Sequence, residues 1–261
     1  MSKNFNQAYV SPVLKEFFEK PFLELYSLTN YQDMYAPAIF FGLYQMDDVN
    51  YLTNHKGPKI LIWGGNDMNQ RIFQHIANLQ KTQDIYTWYP PGDIATMIES
   101  YGIKLKKISI ALKDYSPYTL TSLGENIYVY KGVNGNRSEY FKWGEVIEPL
   151  IEVFGQDRII YTNNIPTKEL IENIYKDCFV FVKPNPKGGC TTMWELGHMG
   201  IRTLGRGMEE SQFFKNYTDI NNLIELIVEE SKNMGKIQKE VAKATKSSFI
   251  GPEWLSLNFW N

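Results

Sequence analysis

Residues 180–207 combine residue types whose order could perform chemistry. The segment reads VFVKPNPKGGCTTMWELGHMGIRTLGRG. Its apolar start predicts a buried strand ending at Lys183, a loop rich in Pro, Asn and Gly follows, and a helix is predicted from near Cys190. The first-turn amides of a helix lack intrahelical partners and lie at the positive end of its dipole. This arrangement suits a bound anion, most obviously a diphosphate.

Four residues of this segment are candidates for holding a diphosphate through backbone amides, and Glu195 for holding a sugar. The two glycines allow a ligand to approach the backbone closely. Glu195, one turn into the helix, has a carboxylate that could accept hydrogen bonds from two ribose hydroxyls. A Gly-Gly pair before a helix can also be a simple tight turn, but the strand–loop–Gly-Gly–helix–Glu order favours phosphate binding. The four residues are Gly188, Gly189, Cys190 and Thr191.

The same segment resembles the nucleotide-sugar-binding region of the GT-B glycosyltransferases, especially the group-1 (family 4-like) enzymes. MWELGHMGIRTLG matches the family's helix and the small-residue exit into the next strand, and implies that Glu195 holds the donor ribose. The family usually has another Glu eight residues earlier, where this chain has Lys187. The departure leaves the family's retaining mechanism undecided here and implies a contact of Lys187 with donor phosphate or sugar.

The resemblance extends with lower specificity over about residues 126–230. Residues 126–131 resemble the first strand of the nucleotide-binding domain, after which the family has a basic pair that neutralises the diphosphate. Lys131 and Arg137 are the favoured candidates for that pair, with Lys142 as a third. A single basic residue is otherwise most often a solvated one. The first 120 residues match no family motif.

Asp67 is the first candidate for a catalytic base. It belongs to WGGNDM (residues 63–68), which follows a predicted strand, so its carboxylate could take a proton from an acceptor hydroxyl. It could equally cap the helix predicted from Met68. The Asp47-Asp48 pair at another strand end is a weaker candidate for a base or a metal ligand, and the GT-B resemblance implies no divalent metal.

Other kinds of catalytic and binding centre lack their sequence signatures. The three histidines are isolated, and Cys178 and Cys190 form no CxxC, which disfavours structural zinc and a disulfide scaffold. No GxSxG nucleophile turn and no GxGxxG after the opening strand are present, which disfavours a serine hydrolase and a Rossmann dehydrogenase.

Strands alternate with helices along most of the chain, and several strands are apolar throughout. This pattern predicts parallel sheets covered on both faces. We expect an α/β protein of GT-B type, with two Rossmann-like domains facing a central cleft. The domains are an acceptor-side domain over 1–120 with an N-terminal helical segment, a nucleotide-sugar-binding domain over 121–250, and a C-terminal tail over 251–261 that returns to the first domain.

Two local predictions concern the first domain. Residues 1–30 are expected to form a polar tail followed by an amphipathic helical stretch. The alternation KKISI within residues 103–110 predicts a strand.

Composition excludes several function classes. The 261 residues carry a formal net charge of −2, so a dedicated nucleic-acid binder is not expected. No apolar stretch is long enough to span a bilayer, and the polar start shows no signal peptide. These features favour a cytoplasmic protein in a reducing compartment.

The sequence therefore predicts a metal-independent glycosyltransferase of glycan biosynthesis. It would move a hexose or pentose from a nucleotide-diphosphate sugar, UDP- or GDP-sugar first, to a hydroxyl of a glycan or glycoconjugate. If the reaction inverts, Asp67 is the expected base; if it retains, none is needed. The alternatives are a non-catalytic or degenerate nucleotide-sugar-binding scaffold and another GT-B nucleotide-sugar enzyme such as an epimerase.

Overall fold

The chain folds as two compact units. The computed structural model describes residues 4–64, 70–88, 94–130, 143–162, 167–184 and 190–261. One unit comprises Met1–Asp114 together with Phe249–Asn261, and the other comprises Tyr115–Ser248.

The first unit is built on a five-stranded sheet in the order β2-β1-β3-β4-β5, in which every neighbouring pair is parallel. β3 (AIFF) and β4 (KILI) are buried along their whole length inside the sheet, and their one charged residue, Lys59, donates its ammonium to the Leu52 and His55 carbonyls over 3.2 and 2.6 Å. The strands are β1 (Gln7–Val10), β2 (Thr29–Asn30), β3 (Ala38–Phe41), β4 (Lys59–Ile62) and β5 (Ile85–Thr87).

Helices cover both faces of this sheet, and each face has its own core. Alternate residues of a strand point to opposite faces, so Phe41 packs with Phe22 in one core and Phe40 with Phe73 in the other. The helices before the tail are a π-helical turn (Lys15–Glu19), α1 (Lys20–Tyr26), α2 (Met46–Asn54), α3 (Gln70–Leu79) and α4 (Ile94–Ser100).

The C-terminal residues pack into the first of these cores. Trp254 is fully buried beside Tyr26, and the Trp260 indole N–H donates to the Trp254 carbonyl oxygen over 2.6 Å. The Phe5 amide donates to the Leu255 carbonyl over 2.8 Å, which connects the two ends of the unit. These residues form a 3₁₀ turn (Pro252–Leu255) and the last helix, α10 (Leu257–Trp260).

The second unit has a sheet of the same kind, in the order β10-β9-β8-β6-β7, again parallel throughout. β8 has the sequence CFVFV and is buried at all five positions, as its unbroken apolar run predicts. The strands are β6 (Asn126–Tyr130), β7 (Ile159–Thr162), β8 (Cys178–Val182), β9 (Arg202–Gly205) and β10 (Phe214–Asn216).

Helices again connect the strands of the second unit. Asp219 caps α8 by accepting a hydrogen bond from the Asn222 amide over 3.0 Å. The helices are a π-helical turn (Trp143–Ile147), α5 (Glu148–Phe154), α6 (Thr167–Asn173), α7 (Thr191–His198), α8 (Ile220–Ser231) and α9 (Lys239–Ser247), with 3₁₀ turns at Gln156–Arg158 and Tyr175–Asp177.

Two expectations for the first unit need correction. The helical stretch is present, as the π-helical turn and α1, but residues 7–10 form no polar tail: they are β1, an interior strand. Gln7 is buried there because its Oε1 accepts from the Gln32 and Asp33 amides over 2.8 and 3.0 Å. Residues 103–110 form no strand beyond a single bridge at Lys106. Their alternation arises because Ile108 and Ile110 both pack in the core that contains Phe41.

The stability of the fold should depend on pH through His55. Burial, assisted by the charge of Lys59, lowers the pKa of His55 to about 4. In the unfolded chain the His55 imidazole takes up a proton near pH 6.5, whereas in the folded protein it stays neutral down to about pH 4. The free energy of unfolding should therefore fall as the pH drops from about 6.5 towards 4. Urea unfolding of the wild type and of His55→Asn across this range measures the effect. The free energy of unfolding of the variant should depend less steeply on pH over this range. The same pH dependence in both proteins would contradict the assignment to His55.

Candidate functional site

The topology of the second sheet determines where a ligand should bind. From β6 the chain turns to β7 on one side, and then returns past β6 to β8 on the other. In such sheets the crevice outside the carboxyl ends of the strands, where the order reverses, is the usual ligand site. That point lies where β6 ends at Tyr130 and β8 ends at Val182.

Lys183 follows β8 directly at this point and is almost completely buried. Its amide donates to the Leu204 carbonyl over 2.8 Å, which extends the β8–β9 pairing by one residue. The neighbouring Gly205 lacks the Cβ that would lie 3.4 Å from the Lys183 Cβ and 2.8 Å from the Phe214 ring. Sequence reasoning missed Lys183, although its place as the first residue after CFVFV was the available signal.

The N-terminus of α7 lies on the same side of the sheet. Its N-cap, Cys190, has an extended backbone, and the side chain makes no capping hydrogen bond. The Met193 amide donates to the Cys190 carbonyl over 3.2 Å. Burial and the Glu195 carboxylate raise the pKa of the Cys190 thiol, while the Lys183 ammonium acts in the opposite direction. The structure therefore brings Lys183, Cys190 and Glu195 into one electrostatic environment.

Glu195 is buried one turn into α7 and is held by a tyrosine. The Tyr175 hydroxyl donates to the Glu195 Oε2 over 2.7 Å. Burial of the Tyr175 hydroxyl, and to a lesser extent the nearby Glu195, raise the Tyr175 pKa. Tyr175 is held in turn by the Tyr128 ring, with the centroids 5.5 Å apart. Carboxylate oxygens accept hydrogen bonds from hydroxyl groups, so Glu195 is a candidate acceptor for ligand hydroxyls.

Packing on the far end of α7 fixes the helix. The His198 Nδ1–H donates to the Trp194 carbonyl over 2.7 Å, and its ring stacks on Tyr115 with the centroids 4.9 Å apart. Gly197 meets Thr245 of α9 so closely that a Cβ at position 197 would lie 2.4 Å from the Thr245 Oγ1. These contacts determine where the first turn of α7 and Glu195 lie.

Arg206 supplies a second cation at this edge of the sheet, which sequence reasoning also missed. It directly follows β9, its guanidinium lies over the Tyr217 ring at 4.5 Å, and one of its amino groups donates to the Thr218 carbonyl over 2.8 Å. Its buried Nε has no hydrogen-bond partner within the described part of the chain. The signal in the sequence was again a basic residue placed immediately after a predicted strand.

The Asp47-Asp48 pair has a different role from the metal or base role considered for it. Asp48 is buried at the switch point of the first sheet and accepts hydrogen bonds from the Ser11 and Tyr9 hydroxyls and from the Tyr44 and Gln45 amides, at 2.7–2.8 Å. It therefore closes the N-terminus of α2. Among the described residues, no group of three or more His, Cys, Asp or Glu side chains could hold a metal ion.

Seven of the predicted site residues lie outside the described residues. They are Asp67, Lys131, Arg137, Lys142, Lys187, Gly188 and Gly189, whose roles stay predictions. Cys190, Thr191 and Glu195 are described, and all three belong to α7 or its N-cap. Within the described ranges, no helix has the length and apolar character needed to cross a membrane.

At the level of sequence, no protein-family model and no curated protein matches the chain. Solved structures do match. The sucrose-phosphate synthase from Thermosynechococcus elongatus aligns with a TM-score of 0.58 at 12% identity, over 85% of this chain and 71% of that one. TarM aligns with a TM-score of 0.51 at 11% identity, over 95% of this chain and 56% of its own. A putative UDP-N-acetylglucosamine 2-epimerase from Listeria monocytogenes reaches only 0.39 at 9% identity, over 92% of this chain and 85% of that one, too low to support an argument.

These similarities concern the fold, because the identities are low. Two units, each with a five-stranded parallel sheet, agree with the predicted α/β class. The chain therefore has the GT-B fold with two Rossmann-like units, and its predicted resemblance to the GT-B glycosyltransferases is confirmed at the level of the fold.

Proposed function

We propose that this chain is a glycosyltransferase that moves a sugar from a nucleotide-diphosphate sugar to a hydroxyl of a glycan or other acceptor. One observation carries the proposal: Lys183 is buried directly after β8, at the switch point of the second sheet, and both it and the buried Glu195 of α7 act electrostatically on Cys190, the N-cap of that helix. A cation and a carboxylate there match the two charged needs of such a donor, an anionic diphosphate and a ribose with two hydroxyls.

The diphosphate would bind at the N-terminus of α7. The side chain of the N-cap residue, Cys190, makes no capping hydrogen bond, so first-turn amides of α7 would donate to phosphate oxygens. As the bond to the sugar breaks, negative charge grows on the leaving diphosphate, and fixed donors and cations stabilise it without reorganising. The groups assigned to this task are the amides of Gly188, Gly189, Cys190 and Thr191 and the side chains of Lys131, Arg137, Lys183 and Lys187.

Glu195 would hold the ribose of the donor. Tyr175 donates a hydrogen bond to one of its oxygens, which helps to set the direction of the carboxylate. Two neighbouring hydroxyls can then donate to one carboxylate, and each of these hydrogen bonds is stronger because the acceptor is charged. This contact would determine where the sugar carbon lies relative to the acceptor.

The first unit would present the acceptor, and Asp67 would take its proton if the reaction inverts configuration. The stabilisation described above needs no divalent metal, and UDP- and GDP-sugars are the first donors to test. We place the reaction in glycan biosynthesis in the cytoplasm. These finer assignments are part of the proposal.

A thermal-shift screen with UDP, GDP, ADP, CMP, dTDP and their common sugar conjugates tests the proposal. A ligand that binds only the folded state at a hundredfold excess over its Kd adds about 2.7 kcal/mol, which raises the unfolding midpoint by several degrees. We expect one nucleoside diphosphate and its sugar conjugate to give such a shift. Incubation of that conjugate without acceptor should then release the nucleotide slowly by hydrolysis.

The failure of this screen would also be informative. If no nucleotide shifts the midpoint at millimolar concentration, the proposal is wrong and the Gly-Gly turn before α7 is structural. If a nucleotide sugar binds but is neither transferred nor hydrolysed, the chain is a nucleotide-sugar-binding scaffold. A change in the sugar's configuration with the nucleotide still attached would indicate an epimerase.

A further inference from the structure

The first unit contains a pocket of about 450 Å³ that the donor site does not use. It lies at the carboxyl ends of β1 and β2, between the π-helical turn and the first turns of α2, and Val10, Asn30, Lys15 and Gln45 are among its lining residues. Its volume falls within the roughly 300–1,000 Å³ that is usual for small-molecule sites.

Three tyrosines from distant parts of the chain form an aromatic wall in this pocket. The Tyr9 and Tyr51 rings lie 4.8 Å apart at 31°, and Tyr31 meets Tyr9 edge-on at 6.2 Å. The Tyr9 hydroxyl is anchored on Asp48 at 2.7 Å, and the Tyr31 hydroxyl on the His55 Nδ1 at 3.1 Å. The wall is therefore rigid before any ligand arrives.

Tyr51 is the member of this wall that a ligand can reach. Its side chain is 48% exposed, although its ring packs on Tyr9, and its hydroxyl has no hydrogen-bond partner within the described ranges. An exposed aromatic ring held in a fixed orientation offers a flat apolar face with a polar atom at its edge. Such a surface suits a ligand with one apolar face and a rim of hydroxyls.

The charges that line the pocket disfavour an anion. Lys15 forms a 3.3 Å ion pair with Glu19, so its charge is balanced locally. Asp47 adds a further negative charge, and its exposed carboxylate accepts no hydrogen bond among the described residues. A phosphate or a nucleotide would meet a net negative lining, whereas neutral hydroxyls could donate to Asp47.

We propose that this pocket binds a neutral saccharide, with one pyranose face stacked on Tyr51 and its hydroxyls bonded to Asp47, Gln45 and Asn30. The identity of the saccharide rests on the proposed function: it would be the glycan acceptor, held on a different unit from the donor. Saccharide binding itself needs no donor, so the two proposals can fail separately.

Saturation-transfer NMR on the full chain, with the methyl glycosides of glucose, galactose, mannose and N-acetylglucosamine and their β-linked disaccharides, tests the inference. We expect at least one probe to bind, and Tyr51→Ala to weaken that binding by about tenfold because the stacking surface is lost. Tyr51→Phe, which keeps the ring, should bind within about threefold of the wild type. Tyr35→Ala is the matched control, since Tyr35 is 70% exposed on the same unit and does not line the pocket.

Thermal midpoints of the variants exclude unfolding as the cause of any loss. The inference is overturned if none of the saccharides binds, or if one binds equally well to the wild type and to Tyr51→Ala. If either result is found and a nucleotide still raises the unfolding midpoint in the donor screen, the proposed function stands and only this pocket is wrong. If a saccharide binds through Tyr51 but no nucleotide raises the midpoint, the pocket is supported and the proposed transferase function is wrong.

Discussion

Glu195→Gln should weaken binding of the nucleotide-sugar donor by about 10- to 100-fold, because hydrogen bonds to a charged acceptor are worth about 1.5–3 kcal/mol. Glutamine keeps the volume and one acceptor oxygen, so the Tyr175 hydroxyl retains a partner and the fold should be preserved. Alanine is a poorer test, because it leaves that buried hydroxyl unpaired at a cost of about 1–3 kcal/mol of stability. The Kd for the nucleotide identified by thermal shift measures the effect.

Glu229→Gln is the matched control for this prediction. Glu229 lies on α8 of the same unit, its side chain is 57% exposed, and it pairs with Lys215 at 3.3 Å. The substitution removes the same charge from the unit and should leave donor affinity unchanged. Equal affinities of wild type and Glu195→Gln would show that the carboxylate does not touch the ribose. Equal losses in both variants would show that net charge, rather than a contact, is responsible.

Tyr175→Phe separates holding the carboxylate from touching the donor. The variant removes one donor to the Glu195 carboxylate and leaves the carboxylate itself in place, so Tyr175 acts as a positioning residue and the loss should be smaller, about fivefold. In Glu195→Gln, which already lacks the charge, the added Tyr175→Phe change should have less effect than alone, because both changes act through one contact. Independent losses that simply add would place Tyr175 outside this network.

The sequence predicted the second unit well because its strands are recognisable without tertiary information. CFVFV is an unbroken apolar run between polar turns, and it forms β8, which ends at Val182, one residue before the predicted end of the strand. The first unit was less predictable. β1 is an interior strand, but its Gln7 is satisfied by the backbone of residues 32 and 33, a contact that local periodicity cannot reveal.

The candidate donor site could be predicted where its residues belong to one continuous segment. It could not be predicted where residues from separate strands come together only in the folded protein. Cys190, Thr191 and Glu195 belong to a single helix, so their spacing alone places them together. Lys183 and Arg206 follow two different strands, and only the β8–β9 pairing brings them to one edge of the sheet. The tyrosine pocket was unpredictable for the same reason, because its rings come from β1, from the residue after β2, and from α2.

Both candidate sites depend on the same topology. The two sheets share one strand order, in which the second strand lies outside the first and the third lies on its other side. Each sheet therefore has a switch point, and a buried polar residue lies at each: Asp48 in the first unit and Lys183 in the second. In the first unit that carboxylate is fully used in holding the backbone and two hydroxyls. The donor-binding role is therefore proposed for the second unit, where Glu195 is buried one turn into the helix that follows β8.

Gly197→Ala should destabilise the second unit and weaken donor binding, and Thr245→Ala should partly restore both. An alanine Cβ at position 197 would lie 2.4 Å from the Thr245 Oγ1, 2.8 Å from its Cγ2 and 3.2 Å from its Cβ. Overpacking of this kind costs about 1–3 kcal/mol, whereas the higher helix propensity of alanine returns at most about 1 kcal/mol. The cost of overpacking should therefore exceed the gain in helix propensity, and α7, with Glu195, should move away from α9.

Thr245→Ala removes the two nearest atoms and leaves only the 3.2 Å contact. Alone, it should cost about 1 kcal/mol, because it loses the buried hydrogen bond to the Val241 carbonyl. The double variant should nevertheless be more stable than Gly197→Ala, so the two changes couple with a favourable sign. Urea unfolding and the donor Kd are measured on all four proteins. Gly144→Ala is the control, since among the described residues its Cβ would approach nothing nearer than 3.5 Å. Additive effects on stability would mean that α7 and α9 do not meet here, and the rigid placement of Glu195 would lose its physical basis.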